Sequence, residues 1–532
     1  MPAWLDDAVF YEIYPQSFRD TNADGIGDFQ GIIDSIPYIR ELGCNAIWMN
    51  PCFDSPFYDA GYDIRDYYTA APRYGTNADL KCLFDAVHAA GMHIILDLVP
   101  GHTSIDCEWF KQSCKAEKNE YTSRYIWSDS VWENMSGIEN IAGVLRGVSE
   151  RNASVATNFF STQPALNYGF AQVDKPWQMH FTSPEAAATL DAMMDVMRFW
   201  LQMGADGFRV DMAGSLIKAD KDQQETIRLW RKVRAFLDRE FPEAVMISEW
   251  GQPDRSLAGG FHMDFLLAWA DSQYTELLRT DTPYFGSKSP RTGEAFAERY
   301  DRYRASVGGK GLICIPSGNH DTPRLRHFLT EAEMKVAFAF LLTMPGAPFI
   351  YYGDEIAMRY LPDLPSVEGG YERTGTRTPM QWDATVNAGF SAARTDKLYI
   401  RQDPDPDRPT VARSMADPDS VWSTVHALLA LRKAHPALQT NGMMTFLSTA
   451  NGAMVYSREA GEEKLVVLLN PKAADAACTW EGCDALAEAA VIYSLNGAAG
   501  YDGMSVTVPA GSATVLRLKQ KYKFDKNGYN GL

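Results

Sequence analysis

Three carboxylates in this chain have the types and spacing needed for bond-breaking chemistry. Asp211 closes the run Gly207-Phe208-Arg209-Val210-Asp211, Glu249 sits in Ile247-Ser248-Glu249-Trp250, and Asp321 ends Asn319-His320-Asp321. Each follows or ends an apolar stretch that reads as a buried strand. Acids so placed suit cleavage of a glycosidic bond. One attacks the sugar, one protonates the leaving oxygen, and a third holds ring hydroxyls while positive charge develops. Arg209 lies two residues before Asp211, on the same face of its strand, and its charge is expected to keep Asp211 ionised as a nucleophile requires. Glu249 lies beside Trp250 in an apolar strand, a setting suited to a proton donor. Asp97, near the end of another apolar run, and His102 and His320, in the loops beyond two of them, complete the candidate set.

A second cluster is suited to a cation. Asp20-Thr-Asn22-Ala-Asp24-Gly25-Ile26-Gly-Asp28 puts side-chain oxygens at the first, third, fifth and ninth positions, with the Ile26 carbonyl at the seventh. Gly25 occupies the sixth, where the chain must turn sharply. Gly31 stands at the twelfth position in place of Glu, so the loop is not an EF-hand. The expected ligand is a structural Ca2+, since these hard oxygen donors lie far in sequence from the three acids.

The elements that must carry these residues alternate. Strand candidates fall at 9–15, 46–51, 94–99, 207–211, 245–250, 261–265, 312–317 and 348–352, most of them separated by helix-length amphipathic segments such as 79–90 and 185–203. Eight strand-then-helix units predict an α/β fold, a (β/α)8 TIM barrel, with the acids at the carboxyl ends of the strands. The 99–207 gap is too long for one crossover helix. Residues 103–180, rich in Ser, Asn, Asp and aromatics, therefore read as a small domain inserted after the third strand. Short alternating runs beyond 440 predict a C-terminal antiparallel β-sandwich. The expected organisation is 1–102 and 181–439 as barrel, 103–180 inserted, 440–519 as β domain and 520–532 as a polar tail.

Composition narrows the partners. With 532 residues, 46% hydrophobic and 22% charged, the chain has the make-up of a soluble globular protein. A net charge of -18 argues against nucleic acid and anionic membranes. The 13 Trp and 25 Tyr serve a large core, and equally a site that stacks sugar rings. No signal peptide is expected from the opening Met1-Pro-Ala-Trp-Leu-Asp-Asp, and the apolar stretch 336–352 is broken by Thr343, Pro345, Gly346 and Pro348, so it is no membrane span. The eight Cys are scattered, which favours reduced thiols and a cytoplasmic location.

Asp97-Leu-Val-Pro-Gly-His102, Gly207-Phe-Arg-Val-Asp211, Ser248-Glu249 and Asn319-His-Asp321 resemble, in order and spacing, the motifs of glycoside hydrolase family 13, the α-amylase superfamily. Gln163-Pro-Ala-Leu-Asn167 resembles an additional motif of the inserted domain, and the likeness runs from Tyr11-Glu-Ile-Tyr-Pro15 through Arg377-Thr-Pro-Met-Gln-Trp-Asp383 into the β domain. The resemblance implies a retaining mechanism on α-glucosidic bonds, with Asp211 as nucleophile, Glu249 as acid/base, Asp321 as transition-state stabiliser, and His102 and His320 on sugar hydroxyls. Gly61-Tyr62-Asp63-Ile and the segment from Arg377 resemble the exo-acting oligo-1,6-glucosidase, dextran glucosidase and trehalose synthase group. This implies that Asp63 and Arg377, with Tyr62 and Arg209, grip a non-reducing-end glucose in a closed pocket. Several relatives of that group hold calcium in the loop matching Asp20–Asp28.

Two positions depart from the pattern. Gly101 stands where the family usually has Asn, a calcium ligand in many amylases, so that particular calcium site is not expected. Met212, after the nucleophile, matches neither the Val of α-1,6 enzymes nor the Ala of α-1,4 enzymes, so linkage stays open, as do sucrose and trehalose. A transglucosidase or disaccharide isomerase would use the same residues. A non-catalytic amylase-like binding protein is the alternative of another class, and retention of all three acids speaks against it.

Overall fold

The structure, a computed structural model, describes residues 1–268 and 272–519; the polar tail expected at 520–532 lies outside them. Eight parallel strands make the central sheet: β1 (Phe10–Ile13), β2 (Ala46–Met49), β3 (His93–Leu98), β4 (Gly207–Val210), β5 (Val245–Ser248), β6 (Met263–Phe265), β7 (Leu312–Cys314) and β8 (Phe349–Tyr351). Each pairs with its sequence neighbours, β1 pairs with β8, and a Pro316–Phe349 bridge closes the ring between β7 and β8. Nearly all strand residues are buried because helices cover the outside and side chains fill the inside. Phe10, Trp48, Ile95, Val245, Ile247, Met263, Phe265, Cys314 and Phe349 form one apolar cluster in the barrel interior.

Helix boundaries follow their caps. Thr76 and Thr330 make capping boxes with Asp79 and Glu333 for helices Asn77–Ala89 and Glu331–Thr343. Ser183 followed by Pro184 starts Pro184–Met203. Between β3 and that helix lies an irregular segment with two short strands, Gly143–Leu145 and Val155–Thr157, around a small core of Ile126, Met135, Ala156, Ala165, Phe170 and Trp177. Beyond residue 440 a five-stranded antiparallel sheet (Met443–Ser448, Met454–Ala460, Glu463–Asn470, Ser512–Arg517, Ala490–Leu495) faces a three-stranded one. Val455, Val466 and Leu468 pack with Cys478, Val506 and Val508 between them. Among the described residues no helix is long and apolar enough to cross a membrane.

Candidate active site

Register builds the site. Asp97 on β3 pairs with Arg209 on β4, and Val210 pairs with Ser248, so the residues just past these strands, Asp211 and Glu249, emerge side by side. The Arg209 guanidinium, 1% exposed, then meets three carboxylates: Nη1 lies 2.7 Å from Asp97 Oδ1 and 3.1 Å from Asp211 Oδ1, and Nη2 lies 2.9 Å from Glu249 Oε1. Asp97 also accepts from Trp48 Nε1 (3.0 Å), Asn50 Nδ2 and Tyr62 Oη (3.3 Å each), which fixes Arg209 from below. Burial and the neighbouring Glu249 push the Asp211 carboxyl well above the usual range, against the pull of Arg209. The expectation that Arg209 simply keeps Asp211 ionised is therefore corrected. One guanidinium divided among three acids does not outweigh burial beside a like charge.

Asp321 is held in the opposite way. Its Oδ1 accepts from Arg373 Nη1 and Arg377 Nη2, both at 2.9 Å, and its Oδ2 lies 3.1 Å from His320 Nε2. Burial works against the charge, yet His320, Arg377 and Arg373 hold this carboxyl well below the ordinary value. His102 is the contrasting histidine. Burial lowers it to about 3, so it is neutral, with Nε2 donating to the Tyr62 carbonyl (3.1 Å) and Nδ1 accepting from Asn158 (3.2 Å).

Asp211, Glu249 and Asp321 share the wall of one open cavity of ≈ 430 Å³, with Tyr62 and His102. Asp63, Arg209, His320 and Arg377 are absent from that wall. The expected Asp63–Arg377 clamp is not formed. Asp63 is fully buried and accepts from Ser55 Oγ, Tyr58 N and Asp59 N, bracing its own loop. Arg377 donates to Asp321 and to the His320 carbonyl. The pair that faces the cavity stands four residues earlier in each segment: Asp59 and Arg373, 3.5 Å apart. Gln163, from the inserted segment, donates to Asp59 at 2.8 Å. Sequence reasoning missed this pair, although an Asp and an Arg one turn before the chosen ones were a visible signal. It also missed Phe159, Gln223, Trp250 and Gln252 of the outer wall.

The two departures have physical accounts. A Cβ at Gly101 would stand 2.5 Å from Asn158 Nδ2, so the missing side chain makes room for the amide that links His102 to the buried Lys218 ammonium (3.0 Å). Met212 adopts a left-handed conformation (φ 45), which turns its N–H onto Glu249 Oε2 at 3.0 Å and its side chain into the cavity wall.

These motifs and this barrel match a family model, "Alpha amylase, catalytic domain", over residues 12–441. The chain belongs to the α-amylase family. It is 31% identical to the trehalose synthase/amylase TreS of Mycobacterium tuberculosis over 88% of this chain and 81% of that protein. Identity is 30% to the oligo-1,6-glucosidase of Heyndrickxia coagulans, over 88% and 92%. Among solved structures, the trehalulose synthase MutB of Pseudomonas mesoacidophila superposes with a TM-score of 0.81 at 27% identity, covering 98% of this chain and all of that one. This α-amylase family member is thus similar both to an oligo-1,6-glucosidase and to trehalose and trehalulose synthases.

The Asp20–Asp28 loop is knitted by its own turns: Asp20 accepts from the backbone of Asn22, Ala23 and Gly25, Asn22 from Asp24, Asp24 from Ile26, and Asp28 from Thr21 and Gly31. Gly25 makes the sharp turn at φ 92. Among the described residues no three His, Cys, Asp or Glu side chains converge as a metal site made of those alone would require. A site in this loop would rely on the Asn22 amide and the Ile26 carbonyl beside its carboxylates.

Proposed function

We propose that this chain is a retaining enzyme that removes glucose from the non-reducing end of short α-glucosides through a covalent glucosyl-enzyme intermediate. The observation that carries the reading is the Arg209 guanidinium bridging Asp211 and Glu249 within one cavity that Asp321 also lines. Sharing one guanidinium favours the short carboxyl spacing of about 5 Å found in retaining glycosidases over the wider gap of inverting ones. The step requires Asp211 ionised, as its contact with Arg209 favours, and the proton on Glu249: Asp211 attacks the anomeric carbon as that carbon's bond to oxygen breaks, and the leaving oxygen takes the proton from Glu249. Glu249 then deprotonates the incoming hydroxyl, whose oxygen displaces Asp211. Asp321, kept anionic by three cations, opposes the positive charge of both transition states.

If water enters, the outcome is hydrolysis; if the released sugar re-enters through another hydroxyl, it is isomerisation. The second reading is favoured by the trehalose synthases among the relatives and by the likeness to MutB, a mutant of which was solved with its substrate sucrose. Time-resolved NMR on maltose, isomaltose, trehalose, sucrose, kojibiose and nigerose decides between them. Release of α-glucose establishes the hydrolase, and new disaccharides with little glucose establish the isomerase. Turnover of none of them would sink both readings.

A structural Ca2+ in the Asp20–Asp28 loop belongs to the same proposal. Its support is three carboxylates in nine residues, none of them ion-paired among the described residues. A cytoplasmic location is supported by eight cysteines that are all unpaired.

A further inference from the structure

Glu12 lies on β1 two positions beyond Phe10, on the same inward face, and is fully buried. Its Oε1 lies 2.9 Å from His320 Nδ1 and 3.2 Å from Asn50 Nδ2, while its Oε2 has no hydrogen-bond partner among the described residues. On the far side of the imidazole, Nε2 lies 3.1 Å from Asp321 Oδ2 and 2.7 Å from Tyr62 Oη. We propose that Glu12 is a positioning residue that holds His320 doubly protonated, so that the ring donates from both nitrogens and fixes Asp321 and Tyr62 in the cavity wall. The catalytic consequence rests on the glycosidase reading above; the state of the ring does not.

The two acids favour the doubly protonated ring over either neutral form, and they do so against Asn50 Nδ2, which lies 3.1 Å from Nδ1 and would donate to it in the Nε2-protonated tautomer. With its only proton on Nδ1, the imidazole would satisfy Glu12 but present a lone pair to the Asp321 carboxylate. With the proton on Nε2, it would present a lone pair to Glu12. Only the imidazolium satisfies both acids. The rings of Tyr14 and Tyr62 stack on it at 6.2 and 5.3 Å, which prevents it from turning away. The other charges around it are Asp97, reached through Asn50 and Tyr62, Arg209 bound to Asp97, and Arg377, whose Nε donates to the His320 carbonyl. Burial alone would depress His320, but Asp321 and Glu12 lift it to about 9. Burial raises Glu12 in turn, against the pull of His320, Asn50 and Arg209.

The test is 15N NMR of histidine-labelled enzyme across pH, with the His320 signals among nine histidines assigned from His320→Gln. At about pH 7.5 both ring nitrogens of His320 in the wild type are expected to be protonated, well above the ordinary imidazole value. In Glu12→Gln, which keeps size but removes charge, the ring should deprotonate at least about one pH unit lower. The alkaline limb of kcat/KM on p-nitrophenyl α-glucoside should move down equally. Above both limbs the variant would then be about tenfold slower, the ratio that one pH unit gives, with little difference near pH 6. A neutral His320 in the wild type, a titration that Glu12→Gln leaves unmoved, or a loss of rate equal at every pH overturns the proposal. The wild-type spectrum needs no variant to fold. An inactive wild type with a charged His320 would refute the glycosidase reading alone.

Discussion

Replacing Asp211 with Asn separates catalysis from stability. The side chain keeps its volume and its place 3.1 Å from Arg209, but the attacking oxygen is gone. Removing a covalent nucleophile costs about 10⁵–10⁶ in kcat, which converts to about 7–8 kcal/mol of transition-state stabilisation. Stability should move the other way. Burial beside Glu249 raises the Asp211 carboxyl, so its ionised form is disfavoured in the folded protein. For a raised group, stability is fully present below the unfolded value near 3.9 and is lost as pH climbs through the folded value. The variant carries no such group. It should match the wild type near pH 4 and exceed it in melting temperature near pH 8. Glucose release and calorimetry at both pH values measure the two effects. A variant within about tenfold of wild-type rate would refute Asp211 as nucleophile. An inactive variant that melts lower than wild type near pH 8 would refute the electrostatic argument.

Arg373→Ala leaves Asp59 and Asp321 facing each other across the cavity. It is expected to lower kcat/KM on disaccharides ~10²–10³-fold, about 3–4 kcal/mol, with steady-state kinetics as the check and a change below about threefold counting against the clamp. Asp63→Ala removes the acceptor of two backbone N–H groups. It should cost about 1–3 kcal/mol of stability while KM moves less than about threefold; a large KM effect with unchanged melting would restore Asp63 to the sugar. Chelation with EGTA should lower the melting temperature, and added Ca2+ should restore it. A melting curve indifferent to both would remove calcium from the Asp20–Asp28 loop.

The barrel was legible because each of its strands is a local apolar run that must be buried on both faces, and the eight runs recur in chain order. The three acids were legible for the same reason: the residue after a buried strand emerges at its carboxyl end, and the register of β4 and β5 then brings Asp211 and Glu249 together. The ion pair that faces the cavity was not. Asp59 and Asp63, like Arg373 and Arg377, are four residues apart, and sequence alone does not say which member of each pair turns inward. In the fold Asp63 is consumed by Tyr58 N and Asp59 N, and Arg377 by the His320 carbonyl, which leaves the earlier member of each pair in the wall.

By itself, then, the sequence determined the α/β class, the alternation of strands and helices, the inserted and C-terminal modules, and the carboxylates placed at strand ends. These follow from periodicity and side-chain type within short windows. Only the tertiary structure decided which charges share a guanidinium, that Glu12 stands behind His320, that Asn158 fills the space over Gly101, and that Arg373 meets Asp59 across 314 residues of chain. Electrostatic interactions act over a few ångströms of space, whatever the separation along the chain, so the partner that sets a group's charge is fixed only once the loops have closed over the barrel.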